Sequence, residues 1–140
     1  MSVGAILLPV FVEVGLVFVL LFWLGPLRVT ALRRGETRIK DVALGQKAWP
    51  ERALQIANAF DNQFQLPVLF YVVTILALVT QKAGIAFVVL AWIFVLSRIG
   101  HAVIHTTTNN MRRRFAAYLI GAVTLLILWV VFSIQVLFGV

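Results

Sequence analysis

Apolar residues in this chain do not alternate with polar ones; they run in four long blocks parted by short polar stretches. A helix needs about 20 apolar residues, at about 1.5 Å each, to cross a bilayer core. The blocks at about 4–27, 50–80, 84–107 and 112–139 all reach that length. The first is interrupted only by Pro9 and the lone acid Glu13. It begins after Met1-Ser2-Val3, which has no basic residue, and continues to Trp23-Leu24-Gly25-Pro26, so it reads as a retained helix and not a cleaved signal peptide. The second block has two characters. Trp49-Pro50-Glu51 suits a helix start, residues 52–65 are polar, and the stretch after Pro67 is apolar to Val79. Pro67 is expected to kink this span. Gln81-Lys82-Ala83-Gly84 predicts a tight turn into the third block, and the fourth carries no charge from Phe115 onward. The pattern predicts an all-α integral membrane protein, one four-transmembrane-helix domain over residues 1–140.

Composition narrows the alternatives. Of 140 residues 62% are apolar and 12% charged, with a mean hydropathy of +1.03. That excludes an ordinary soluble globule and a disordered chain. With no cysteine, disulfides, thiolate metal sites and a protein cysteine nucleophile are excluded, and no metal is implied. A net charge of +7 would suggest nucleic acid in a soluble protein, but its distribution assigns it to topology. Arg28, Arg33, Arg34, Arg38, Lys40, Lys47 and Arg52 surround the first connection; Arg98, Arg112, Arg113 and Arg114 surround the third; only Lys82 marks the second. With four crossings, the first and third connections share a side. The positive-inside rule makes that side cytoplasmic and both termini non-cytoplasmic. The connection over 28–49 reads as a basic cytoplasmic loop with a short amphipathic piece, suited to anionic head groups. In a bacterium the membrane would be the inner, plasma membrane.

Polar groups within spans are costly and usually face protein or water. On the second span Asn58, Asp61, Asn62 and Gln65 follow i, i+3, i+4, i+7 spacing, with Gln55 one turn earlier. Such a stripe is either interhelical hydrogen-bonding or a ligand surface. On the third span Arg98, His101 and His105 share a face, flanked by Ser97 and Thr106-Thr107-Thr108. Asp61 and Arg98 are expected to be near enough for an ion pair. At the start of the fourth span, Arg114 and Tyr118 are one turn apart and point inward, while Arg112 and Arg113 anchor the helix in the interface. The expectation is a shared crevice at the basic end, electropositive and half-embedded, for a small anionic molecule beside a lipophilic one. Glu13 has three open readings: a protonated acid, an interprotomer contact, or a partner of Ser97 or another distant group.

Asn58-Ala-Phe-Asp61 followed by Pro67, then Arg98-Ile-Gly-His101, then Arg114 and Tyr118, resemble the MAPEG family. These are membrane-associated proteins in eicosanoid and glutathione metabolism, among them microsomal glutathione transferases and prostaglandin E synthases. The resemblance covers essentially the whole chain. It implies a left-handed four-helix bundle in a homotrimer, with glutathione between protomers near the cytoplasmic face and a small lipophilic substrate from the bilayer. It implies glutathione-binding roles for Asn58, Asp61, Asn62, Arg98, His101 and His105, and catalytic roles for Arg114, beside the thiol, and Tyr118. Leu54 stands where the family pattern has an arginine, Asn110 where it has another, and Asp61 where it usually has glutamate.

The function this implies is a glutathione-dependent transferase or peroxidase acting on lipophilic substrates. One alternative is a catalytically silent accessory subunit of a membrane assembly, to which Leu54 and Asn110 point. Another is a small multidrug transporter, suggested by Glu13 but opposed by the long basic loop and the polar second span. Haem ligation by His101 and His105 is weaker still, since histidines four apart on one helix cannot fill opposite axial positions.

Overall fold

The computed structural model describes every residue, Met1–Val140. Six α-helices follow in order: α1 (Val3–Arg33), α2 (Ile39–Val42), α3 (Glu51–Asp61), α4 (Leu66–Val79), α5 (Ile85–Thr106) and α6 (Met111–Leu137). There is no strand. Four units are long and apolar enough to cross a membrane: α1, α3 with α4, α5 and α6. The Ser2 hydroxyl caps α1 by accepting from the Ala5 N–H at 3.2 Å. α1 runs past Leu27 to Arg33, so Arg28 and Arg33 belong to the helix and not to the connection. The short α2 is the only regular element of the basic loop.

The second span is broken. Asn62–Phe64 forms one 3₁₀ turn, and Gln65 leaves the helical region at φ −97°, ψ −107°. Pro67 itself sits in the first turn of α4, where a missing N–H costs little. The interruption therefore falls one turn before the expected kink. The proline ring bars the preceding turn from closing normally, and the Gln63 carbonyl has no N–H to accept from. Side chains brace the break: Gln63 Nε2 donates to the Ala59 carbonyl at 3.1 Å, and Asn62 Nδ2 donates to Gln65 Oε1 at 3.2 Å.

α5 and α6 pack most extensively. Their approach is close at Gly121, where a Cβ would lie 2.7 Å from Ser97 Oγ. α1 lies against α3 and α5, while α6 lies against α5 and α4, so α1 and α6 are diagonal across the bundle. The main core includes Ile6, Phe70, Val73, Phe94, Leu125, Leu128 and Phe132. A smaller cluster of Leu24, Ile56 and Ala57 lies toward the other end. Between the two clusters each of three spans contributes a buried polar residue: Glu13, Gln63 and Arg98.

Both termini share one end with the turn after α4. Lys82 Nζ donates to the Val140 carbonyl at 3.1 Å, and Met1 lines a cavity with Leu78 and Gln81. The basic loop and the α5–α6 turn occupy the other end. Arg98 is a correction to the charge map. It does not belong with the connection charges, because it is fully buried and lies about 12 Å of helix before the end of α5.

Candidate functional site

At the basic end a cavity of about 200 Å³ opens between α5, α6 and the 3₁₀ turn, lined by Asn62, His101, His105, Met111, Arg114, Phe115 and Tyr118. His101 and His105 are buried, one turn apart on α5, with rings edge to face at 5.5 Å. The Tyr118 ring lies 6.0 Å from His101. Neither histidine Nδ1 has a hydrogen-bond partner. Buried polar atoms are normally paired, and these two, themselves closed off from solvent, are exceptions.

Arg114 is held over the cavity by its own turn. Nη1 donates to Asn109 Oδ1 at 2.6 Å, and Nη2 approaches Met111 Sδ at 2.9 Å. Asn109 adopts φ 51°, a left-handed conformation that asparagine tolerates better than most residues. Asn110 next to it caps α6, its Oδ1 accepting from the Arg113 N–H at 3.2 Å. Behind the cavity wall, Arg98 Nη2 donates to the Asn62 carbonyl at 3.3 Å and to Asn62 Oδ1. No carboxylate lines this cavity, so Arg114 at its rim and Arg98 behind it give it a positive field suited to an anion.

Asn58 and Asp61 are elsewhere. They line a separate recess of about 210 Å³ with Arg28, Gln46, Lys47, Trp49 and Leu54, and both are exposed. Arg28 lies 5.0 Å over the Trp49 ring. The expected Asp61–Arg98 ion pair is absent; the one ion pair within 4.0 Å is Arg38–Asp41, at 2.9 Å on the surface. Consecutive helical residues diverge by about 100°, so turning Asn62 toward α5 turns Asp61 away from it. The single shared crevice is thus corrected to two hollows on either side of α3, one with Asn62, the histidines, Arg114 and Tyr118, the other with Asn58 and Asp61.

Gln55 is also reassigned. Its Nε2 donates to the His105 carbonyl at 2.8 Å and the Thr107 carbonyl at 3.2 Å, while Arg52 Nη1 donates to the Thr106 carbonyl at 2.6 Å. Together they close the C-terminal end of α5. Gln65 is exposed and its side chain bonds only to Asn62. Glu13 is buried inside the bundle of the single chain, which excludes an interprotomer contact; Ser97 is not its partner, since its hydroxyl donates to the Phe94 carbonyl at 2.6 Å. Asn109, Met111 and Phe115 are site residues that spacing did not single out. A trace of Asn109 was legible, as an asparagine in a polar turn just before a helix cap.

A family model, the MAPEG family, matches residues 6–134 of the chain. Searches of curated proteins and of solved structures return no match.

Proposed function

Because the chain belongs to the MAPEG family, we propose that it is a glutathione-dependent transferase or peroxidase acting on lipophilic substrates at the cytoplasmic side of the membrane. The observation that carries this reading is the cavity in which Arg114, fixed by Asn109, stands with Tyr118 and two buried histidines. Glutathione would supply a thiolate there as nucleophile. Arg114 stabilises that anion by direct charge, favouring ionisation of a thiol whose free value is near 8.5. Tyr118 and the rings of His101 and His105, which line the hollow, orient it, and Asn62, braced by Arg98, binds the peptide portion. Phe115 faces the same hollow and offers an apolar edge to a substrate arriving from lipid.

The assembly in this reading is a homotrimer. A hollow of about 200 Å³ is below the ~300 Å³ at which small-molecule sites begin. A second copy completes it by bringing its own recess, with Asn58, Asp61 and Arg28, to the same ligand. Exposed Asn58 and Asp61 on a membrane span support this, because lipid is a poor neighbour for them. Arg28, across the recess from Leu54, provides a cation near the position where the family pattern has arginine. Both termini are then non-cytoplasmic and the basic loop cytoplasmic.

A second reading, a silent accessory subunit, is favoured by Asn110, whose side chain is engaged in capping α6 and brings no charge to the site. One titration decides. Glutathione is added to the purified protein in detergent and heat is recorded. Saturation below millimolar concentration, abolished in Arg114→Ala, supports the enzyme. Absence of saturation at several millimolar refutes it and leaves the accessory role.

A further inference from the structure

The polar layer between the two apolar clusters is not used by the proposed chemistry. Glu13 on α1 is 0% exposed and both of its carboxylate oxygens lack a hydrogen-bond partner. Arg98 on α5 is also 0% exposed, with Nε and Nη1 unpartnered; only Nη2 is engaged, on Asn62. The Tyr71 hydroxyl and Gln63 Oε1, from the second span, are two further unpartnered buried atoms. Three spans therefore bring acceptors and donors to the same buried level, and α1 packs directly on both α3 and α5. Glu13 and Arg98 make no ion pair within 4.0 Å, so the attraction between them acts across the buried layer.

A guanidinium in a bundle interior is expensive unless a counter-charge offsets it. Among the five acids of the chain, Glu36, Asp41, Glu51 and Asp61 are at the basic end, and Glu13 alone is inside. The guanidinium is a rigid planar fork, so a charge attracting its Nε–Nη1 side sets where Nη2 points. Nη2 points at Asn62, which forms the wall of the candidate cavity.

We infer that Glu13 is a positioning residue: the buried counter-charge that orients Arg98 so that Arg98 holds Asn62, and with it the broken turn of the second span, at the cavity wall. Glu13 touches no ligand in this arrangement. It acts through Arg98 from the opposite side of the bundle. The link from Glu13 to Asn62 stands on its own geometry, while its consequence for glutathione rests on the function proposed above.

The test is a pair of double-mutant cycles on the full chain in detergent, read as melting midpoints. Glu13→Gln and Arg98→Gln each strand one buried charge and lower the midpoint by roughly 10 °C. The double variant recovers at least half of that loss. Glu13→Asp keeps the charge and most of the stability. Glu13 and Asn62 make no hydrogen bond, yet the losses in Glu13→Gln and Asn62→Ala are non-additive if Arg98 relays between them. Additive losses in both cycles overturn the inference. If Glu13→Gln fails to accumulate in the membrane, Arg98→Gln is added to it: restored accumulation supports the pairing, and continued failure overturns it. Glutathione titration is a separate arm. Affinity falling about tenfold in Glu13→Gln but staying within about threefold in Glu13→Asp supports positioning, and equal affinity in both overturns it. A wild-type chain that binds no glutathione refutes the proposed function alone, with the cycles still deciding whether Glu13 directs Arg98.

Discussion

Removing Arg52 should loosen the end of α5, the helix that carries both histidines. Its guanidinium donates to the Thr106 carbonyl at 2.6 Å, supports Gln55 Oε1 at 3.1 Å and lies 4.9 Å over the Trp23 ring of α1. A hydrogen bond from a charged donor is worth about 1.5–3 kcal/mol and an exposed cation–π contact about 0.5–1 kcal/mol. Arg52 itself is exposed, so the lower part of each range applies, and Arg52→Ala should cost about 2 kcal/mol. For a chain of 140 residues that is a fall in melting midpoint of about 6 °C. Arg52→Lys keeps a charged donor but not the planar stack on Trp23 or the fixed geometry in which Nη1 serves both Thr106 and Gln55, and should lose about half as much. Hydrogen exchange locates the effect. Amides in the last turn of α5 should exchange faster in Arg52→Ala, while those around Phe94 stay protected. An unchanged midpoint together with unchanged exchange over 103–107 would refute the assignment of Arg52 as the clamp on this helix end.

Three further outcomes follow from the geometry. Gly121→Ala drives a methyl to 2.7 Å from Ser97 Oγ and should destabilise by about 1–3 kcal/mol; adding Ser97→Ala should restore most of the midpoint. Asn109→Gly keeps the left-handed turn but frees Arg114, so calorimetry should show glutathione affinity about tenfold weaker, which is about 1.4 kcal/mol, with the melting midpoint nearly unchanged. Asp61→Leu removes an exposed carboxylate from the face assigned to the neighbouring copy. Light scattering behind a sizing column should show the proposed trimer weakened in that variant, while an oligomer as stable as wild type would count against Asp61 at the interface.

How much of this could be read from residues alone depends on what physics each inference used. The four spans were legible because bilayer thickness imposes one length on every crossing, and few other structures need such runs. Spacing also grouped His101 with His105 and Arg114 with Tyr118 correctly, since each pair shares one unbroken helix. It failed on the second span, where Asp61 and Asn62, about 100° apart, face different hollows and the helix breaks before Gln65. Periodicity also names a face without naming what covers it. Gln55 therefore read as part of a ligand stripe and Arg52 as a connection charge, although the carbonyls of Thr106 and its neighbours, a chain distance of 50 residues or more away, claim both. Glu13 was conspicuous as an acid within a span, but its counterpart Arg98 was grouped with the loop charges because charge counting ignores burial.

The break in the second span is where fold and site meet. A regular helix uses every interior carbonyl in its own ladder, so in a membrane, without water, it has little to offer a buried cation. Pro67 withholds one N–H from the Gln63 carbonyl and disturbs the turn before it, where the Asn62 carbonyl accepts the Gln65 N–H at 3.4 Å and keeps a second lone pair for a partner outside its own helix. Arg98 takes that carbonyl together with the Asn62 side chain. A proline that lines no cavity thus makes it possible to bury an arginine beside one. The buried arginine in turn needs a negative charge within reach, and α1 carries only one acid, Glu13. The dependence runs from Pro67, through the turn it disturbs and the Asn62 carbonyl of that turn, to a cation whose position shapes the wall of the cavity holding His101 and Arg114.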